Sequence, residues 1–167
     1  MSIGTIVCAV NETEGAAEAL RAAAHLGRRL NMRLVAVHVV EDVPMSPAAR
    51  REARAGGMRL MDRVLAEQGA WMTDRRVASG DPAEEIARIA GEERAELVVV
   101  GSKPNGRQAR PPLRSRVATE LARMSPVPVV VVPPGVRTPG TVTAIARRRP
   151  RSLLRRARGD RQQQPVA

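Results

Sequence analysis

Glu96-Leu-Val-Val-Val-Gly-Ser-Lys-Pro-Asn-Gly-Arg-Gln-Ala-Arg-Pro-Pro-Leu-Arg-Ser-Arg116 reads as a buried strand, Leu97 to Val100, that stops at Gly101 and opens into a basic loop. The loop enters a helix near Pro112 to Ser115. A strand, a glycine and a helix start in succession are the usual setting for a phosphate in an open α/β sheet. Backbone N–H groups and the helix dipole both favour an anion there.

Working outward, the same alternation runs along the chain. Ile3 to Val10 is a β-branched apolar run of the kind covered on both faces of a sheet. Asn11-Glu12-Thr13-Glu14 follows, where Asn or Thr caps a helix and an acid suits its first turn. Ala16 to Leu30 is helical, with Ala16, Leu20, Ala23 or Ala24 and Leu30 near one face, and Asn31 closes it in the left-handed region. Arg33 to Val40 is a second strand. Ala48 to Glu67 is a long helix in which Gly56-Gly57 predicts a kink or break, at about 1 kcal/mol per glycine. Trp71 to Ala78, carrying Asp74-Arg75-Arg76, reads as an edge strand blunted by charge. Asp81-Pro82-Ala83-Glu84 is an N-cap, an N1 proline and a capping-box partner, opening a helix that buries Ile86, Ile89 and Ala90. After the central strand, Leu113 to Met124 is a helix with Val117, Leu121 and Met124 inward. Val129 to Val132 is the last strand.

Five strands alternating with four helices imply a parallel sheet in a three-layer α/β sandwich. The ligand crevice belongs beyond the carboxyl ends of the first and fourth strands, with Asn11 and Gly101 facing across it.

Composition limits the function classes. The 167 residues contain no Phe or Tyr and one Trp, so the core is aliphatic and base stacking on aromatic rings is disfavoured. No run reaches the roughly 18 apolar residues of a membrane span, and cytoplasmic residence is the expectation. Cys8 is the single cysteine, which reads as a buried, inert thiol. The net charge of +11 is uneven: from Val136 onward nine Arg face Asp160 alone, leaving about +3 for residues 1–135. We therefore expect a folded unit over 1–135 and a disordered basic tail over 136–167. A tail that binds nucleic acid or anionic membrane is the alternative. His38 reads as structural, because no partner carboxylate or Ser stands at a readable spacing. No catalytic constellation and no metal-ligand spacing is visible.

Five segments in this order and spacing resemble the universal stress proteins of the UspA type across Ser2 to Pro133. They are Ile6 to Asn11, Val35 to Glu41, Gly80 to Ile86, Ala95 to Ser102 and Ser125 to Val132. The resemblance implies a Rossmann-like, adenine-nucleotide alpha-hydrolase-like sheet of order 3-2-1-4-5. It also implies homodimers that pair their last strands, here Val129, Val130, Val131 and Val132; an apolar edge strand is itself a reason to pair. Many members bind ATP through Gly-x2-Gly-x9-Gly-[Ser/Thr]. On this chain Gly101 and Ser115 match that motif, while Pro104 and Arg114 replace its second and third glycines. Asn11 stands where nucleotide-binding members carry Asp.

Proline removes an N–H donor and fixes φ, and Arg114 places a cation at a helix start whose dipole repels it. The expectation is a stress-response binding and signalling module with a degenerate loop and no tightly held cofactor. The alternative is ATP binding through side chains, with Gly106 standing in for the glycine displaced by Pro104. The candidate nucleotide or phosphate site comprises Val10, Asn11, Val39 and Gly101. Lys103, Arg107, Arg114, Ser115 and Arg116 complete it from the loop.

Overall fold

The structure, a computed structural model, describes residues 4–41, 44–70, 73–102 and 116–135. Strands β1 (Thr5–Ala9), β2 (Arg33–Glu41), β3 (Asp74–Gly80), β4 (Leu97–Gly101) and β5 (Val129–Val132) alternate with helices α1 (Glu14–Leu30), α2 (Pro47–Glu67), α3 (Pro82–Glu92) and α4 (Arg116–Met124). All pairings are parallel, in the order β3-β2-β1-β4-β5. Cys8 of central β1 lies beside Ala36 of β2 and Val99 of β4. Successive strand residues face opposite layers. Ile6, Cys8, Ala36 and Val99 pack under α1 and α2 with Leu20, Ala23 and Met61. Val7, Val35, Val98 and Val100 pack under α3 and α4 with Ile86, Ile89 and Leu121. Two covered faces explain why the strands read as unbroken apolar runs.

Burial at the middle of the sheet fixes the chemistry of Cys8. Desolvation of the thiolate pushes its pKa from 9.0 to about 12. Because the folded pKa is raised, the unfolded thiol ionises first as pH climbs. Stability is unaffected below pH 9 and falls between 9 and about 12, by about 1.4 kcal/mol per pH unit. Urea unfolding at pH 8 and pH 10 should therefore show a loss of about that size, and Cys8→Ala should remove this loss.

Local signals set the boundaries. The Thr13 hydroxyl accepts from the Ala16 amide and caps α1. Asn31 ends that helix at φ 52°, in the left-handed region. One Asp81 oxygen takes the amides of both Ala83 and Glu84 at the start of α3. The predicted break at Gly56-Gly57 does not occur, and α2 runs unbroken from Pro47 to Glu67. The His38 ring supplies the reason for one glycine: a Cβ on Gly57 would lie 2.6 Å from His38 Cδ2. Leu30 and Met124 are exposed rather than inward, at 59% and 46%. Each is the last residue of its helix, where no further turn carries it over the sheet.

β3 begins at Asp74, later than the apolar pattern predicts, and lies at the sheet edge; Trp71 and Ile3 lie outside the described residues. Its charges are tied down on both faces. Arg75 pairs with Asp62 of α2. Arg76 bonds Glu92 and Glu93 of the α3 end at 2.9 and 2.6 Å. Arg33 reaches Glu93 at 2.5 Å and Asp74 at 2.9 Å. Such exposed pairs contribute little each, but they keep a strand edge charged and unattractive to other strands.

At the opposite end of the sheet, buried Glu18 of α1 accepts the Gly135 amide on both carboxylate oxygens, at 2.8 and 2.9 Å. This bond ties the turn after β5 to the first helix. The expected tail over 136–167 lies outside the described residues. Among those described, no helix is long and apolar enough to cross a membrane.

Candidate functional site

A cavity of about 470 Å³ opens where the carboxyl ends of β1, β2 and β4 meet. Winding reverses between β1 and β4, and this leaves space between the helices at that end of the sheet. Its apolar wall includes Val37, Val39, Ile86, Val100 and Val117, and its polar rim holds Asn11, Thr13, His38, Glu41 and Arg116.

The floor is organised by Val10. Its amide donates to the Val37 carbonyl at 2.8 Å, and its carbonyl lies 2.9 Å from His38 Nδ1. A carbonyl only accepts, so Nδ1 carries the proton and Nε2 is left as an acceptor. His38 thus has the structural role its sequence setting implies, and it also borders the cavity. Asn11 Oδ1 accepts from the Thr13 amide at 2.9 Å and the Thr13 hydroxyl at 2.6 Å. The side chain builds the turn into α1, leaving its NH₂ for a ligand.

Gly101 lines the cavity where the motif places it, but the cause of the glycine is different. A Cβ there would lie 2.1 Å from the Gly15 carbonyl oxygen and 2.7 Å from the Ala16 nitrogen. In reverse, a Cβ on Gly15 would lie 2.2 Å from the Ser102 carbonyl oxygen. Among the described residues the positive-φ glycines are Gly69, Gly80 and Gly135, so Gly101 itself has a backbone that other residues adopt. Two backbones touching, α1 on the end of β4, demand glycine at both positions. Ser102 is buried and donates its amide to Val132 at 2.9 Å, which locks this corner to β5.

Arg116, the first described residue after the loop, is already engaged. Its Nε donates to Glu120 at 3.0 Å, and Asp81 lies 3.9 Å from its Nη2. The hydrogen bond to Glu120, the attraction of that carboxylate, and then Asp81 and Glu41 hold the guanidinium above its ordinary pKa. The same three acids line an adjoining recess of about 260 Å³ with Gly80 and Pro82. A phosphate would have to draw Arg116 away from these partners.

Five of the candidate residues, Val10, Asn11, Val39, Gly101 and Arg116, therefore line one cavity. Lys103, Arg107, Arg114 and Ser115, with Pro104 and Gly106, lie outside the described residues. Sequence reasoning missed Glu41, Pro82, Ile86 and Val117 as lining of this cavity, and Asp81 as lining of the adjoining recess. The Gly80-Asp81-Pro82 turn was the available signal, since it delivers an N-cap to the same carboxyl edge as Gly101. Among the described residues no three His, Cys, Asp or Glu side chains gather as a metal site would need.

The model of the universal stress protein family matches residues 2–133. No curated protein matches the chain. Solved structures do. A universal stress family protein from Burkholderia pseudomallei is 28% identical, with a TM-score of 0.58 over 78% of this chain and 96% of that one. A universal stress protein in complex with cAMP is 20% identical, with a TM-score of 0.60 over 79% and 98%. One from Archaeoglobus fulgidus in complex with dAMP is 17% identical, with a TM-score of 0.55 over 78% and 98%. With the sheet order, the crevice and a family match spanning most of its length in agreement, this chain belongs to the universal stress protein family.

Proposed function

We propose that the protein is a non-catalytic stress-response signalling module whose cavity takes a nucleoside or nucleoside monophosphate and does not hold ATP tightly. The observation that carries this reading is the contact of Gly101 with Gly15. The one motif glycine retained in the described residues is required by packing, so its presence is no sign of a working triphosphate cradle. Pro104 and Arg114 in place of the other two glycines take backbone freedom and an N–H donor out of the motif. The valine-lined wall still suits a flat base and sugar. Two relatives of the same fold were solved with cAMP and with dAMP, ligands with a single phosphate.

Titration calorimetry with AMP, cAMP and MgATP tests this. AMP or cAMP should bind at least about tenfold tighter than MgATP, a difference of 1.4 kcal/mol. The double substitution Pro104→Gly, Arg114→Gly should raise MgATP affinity by a similar factor. Tight MgATP binding by the unaltered chain would show that side chains suffice to hold the phosphates.

A homodimer through β5 is the second part of the proposal. β5 is an edge strand of four valines, and Val130 is exposed at 38%. An apolar edge of that kind is stable when another copy covers it.

A further inference from the structure

Gly56 is a glycine without a packing reason. A Cβ there would meet only the Arg59 guanidinium, at 3.8 Å, whereas its neighbour Gly57 is fixed by His38. A glycine inside a helix destabilises it relative to alanine; Gly91 of α3 is unforced as well, but Gly56 stands against open space that a ligand could fill. Both glycines line a second recess of about 490 Å³, on the α2 side of the turn between β1 and α1. Its remaining lining is Asn11, Glu12, Thr13, His38 and Leu60. Asn11, Thr13 and His38 also border the first cavity, so the two spaces, of nearly equal volume, share a wall.

The chemistry of this second recess suits a flat ring with an amino group. The bare backbone at Gly56 and the Leu60 side chain make a low apolar floor. His38 Nε2 has no partner among the described residues and, in the neutral ring, is free to accept a hydrogen bond, while Nδ1 is held by Val10. Glu12 offers a second acceptor, with its charge offset by Arg63 at 3.3 Å. The Asn11 NH₂ stands between the recesses as a donor.

We infer that the paired recesses take a dinucleotide, one nucleoside in the cavity at β1 and β4 and the other over Gly56 and Gly57. This rests on the nucleotide reading above and adds the second half of the ligand.

The probes are AMP, adenylyl-(3′,5′)-adenosine and NAD⁺, titrated into the full chain and into Gly56→Leu. At least one dinucleotide should bind about tenfold tighter than AMP; the one that gains reports whether one or two phosphates span the wall. Gly56→Leu, which fills the recess, should abolish that gain and leave AMP affinity unchanged. Gly56→Ala should raise Tm by about 3 °C, since it relieves a helix glycine where there is room for a methyl group. If AMP fails to bind, the nucleotide reading falls and this inference falls with it. If AMP binds and neither dinucleotide gains, or Gly56→Leu weakens all three alike, the second subsite alone is wrong. A fall in Tm for Gly56→Ala would show that the fold needs the glycine, and that too would overturn the proposal.

Discussion

Gly101→Ala should lower folding stability by about 3 kcal/mol or more, with no ligand present. The added methyl group would meet the Gly15 carbonyl carbon at 2.3 Å and its oxygen at 2.1 Å. Backbone cannot swing aside as a side chain does. Either α1 lifts from the sheet, exposing Ala16, Ala19 and Leu20, or the end of β4 retreats and loses its bond from Ser102 to Val132. Gly15→Ala should cost a similar amount through the Ser102 carbonyl. The double substitution should cost less than the sum, because one displacement of α1 makes room for both. Urea unfolding followed by circular dichroism measures all three. Were Gly101→Ala to unfold like the parent and lose only nucleotide affinity, the glycine would serve the ligand and the packing account would be wrong.

Val130→Lys is expected to turn the proposed β5 dimer into a monomer, with a dissociation constant raised about 100-fold or more. On β5, Val132 is buried against the α1 layer. Val130 faces the same side two residues earlier, but is exposed. A two-fold axis beside this strand would bring each Val130 near its counterpart. Every substitution then acts twice, and two ammonium groups must share a patch that two isopropyl groups had filled. The side chain is open in the single chain, so the monomer should keep its fold and its Tm should change little. Equilibrium sedimentation across a hundredfold concentration range reads the result. A lysine variant that sediments as the parent does would place the dimer contact elsewhere.

The succession of strands and helices was legible because most strands are short β-branched runs and the helices start or stop on local chemistry, whereas the order of the strands within the sheet came from the family resemblance. Thr13, Asn31 and Asp81 act within a few residues of themselves, so their roles can be read without a tertiary structure. The candidate site was legible in position and less so in cause. Val10, Asn11 and Gly101 fall at strand ends, which any parallel sheet gathers on one edge. The partner that makes Gly101 necessary stands 86 residues earlier, at Gly15, and nothing in the local pattern joins them. The same applies to Gly57, whose partner is His38. Leu30 and Met124 fit the helical period of their neighbours, yet periodicity carries no information on where a helix outruns its layer. The acids around Arg116 come from β2, the cap of α3 and α4, a convergence that only the assembled fold reveals.

The bond from Gly135 to Glu18 has a bearing on where the folding unit stops. Residues recognisable by family end at 133, but a carboxylate in a closed corner needs its donor two positions further on. A fragment cut at the recognisable limit would leave that carboxylate only the longer contact with Arg21, at 3.8 Å. The natural place to sever the arginine-rich extension, or to graft another domain, is therefore after Gly135 and not before it.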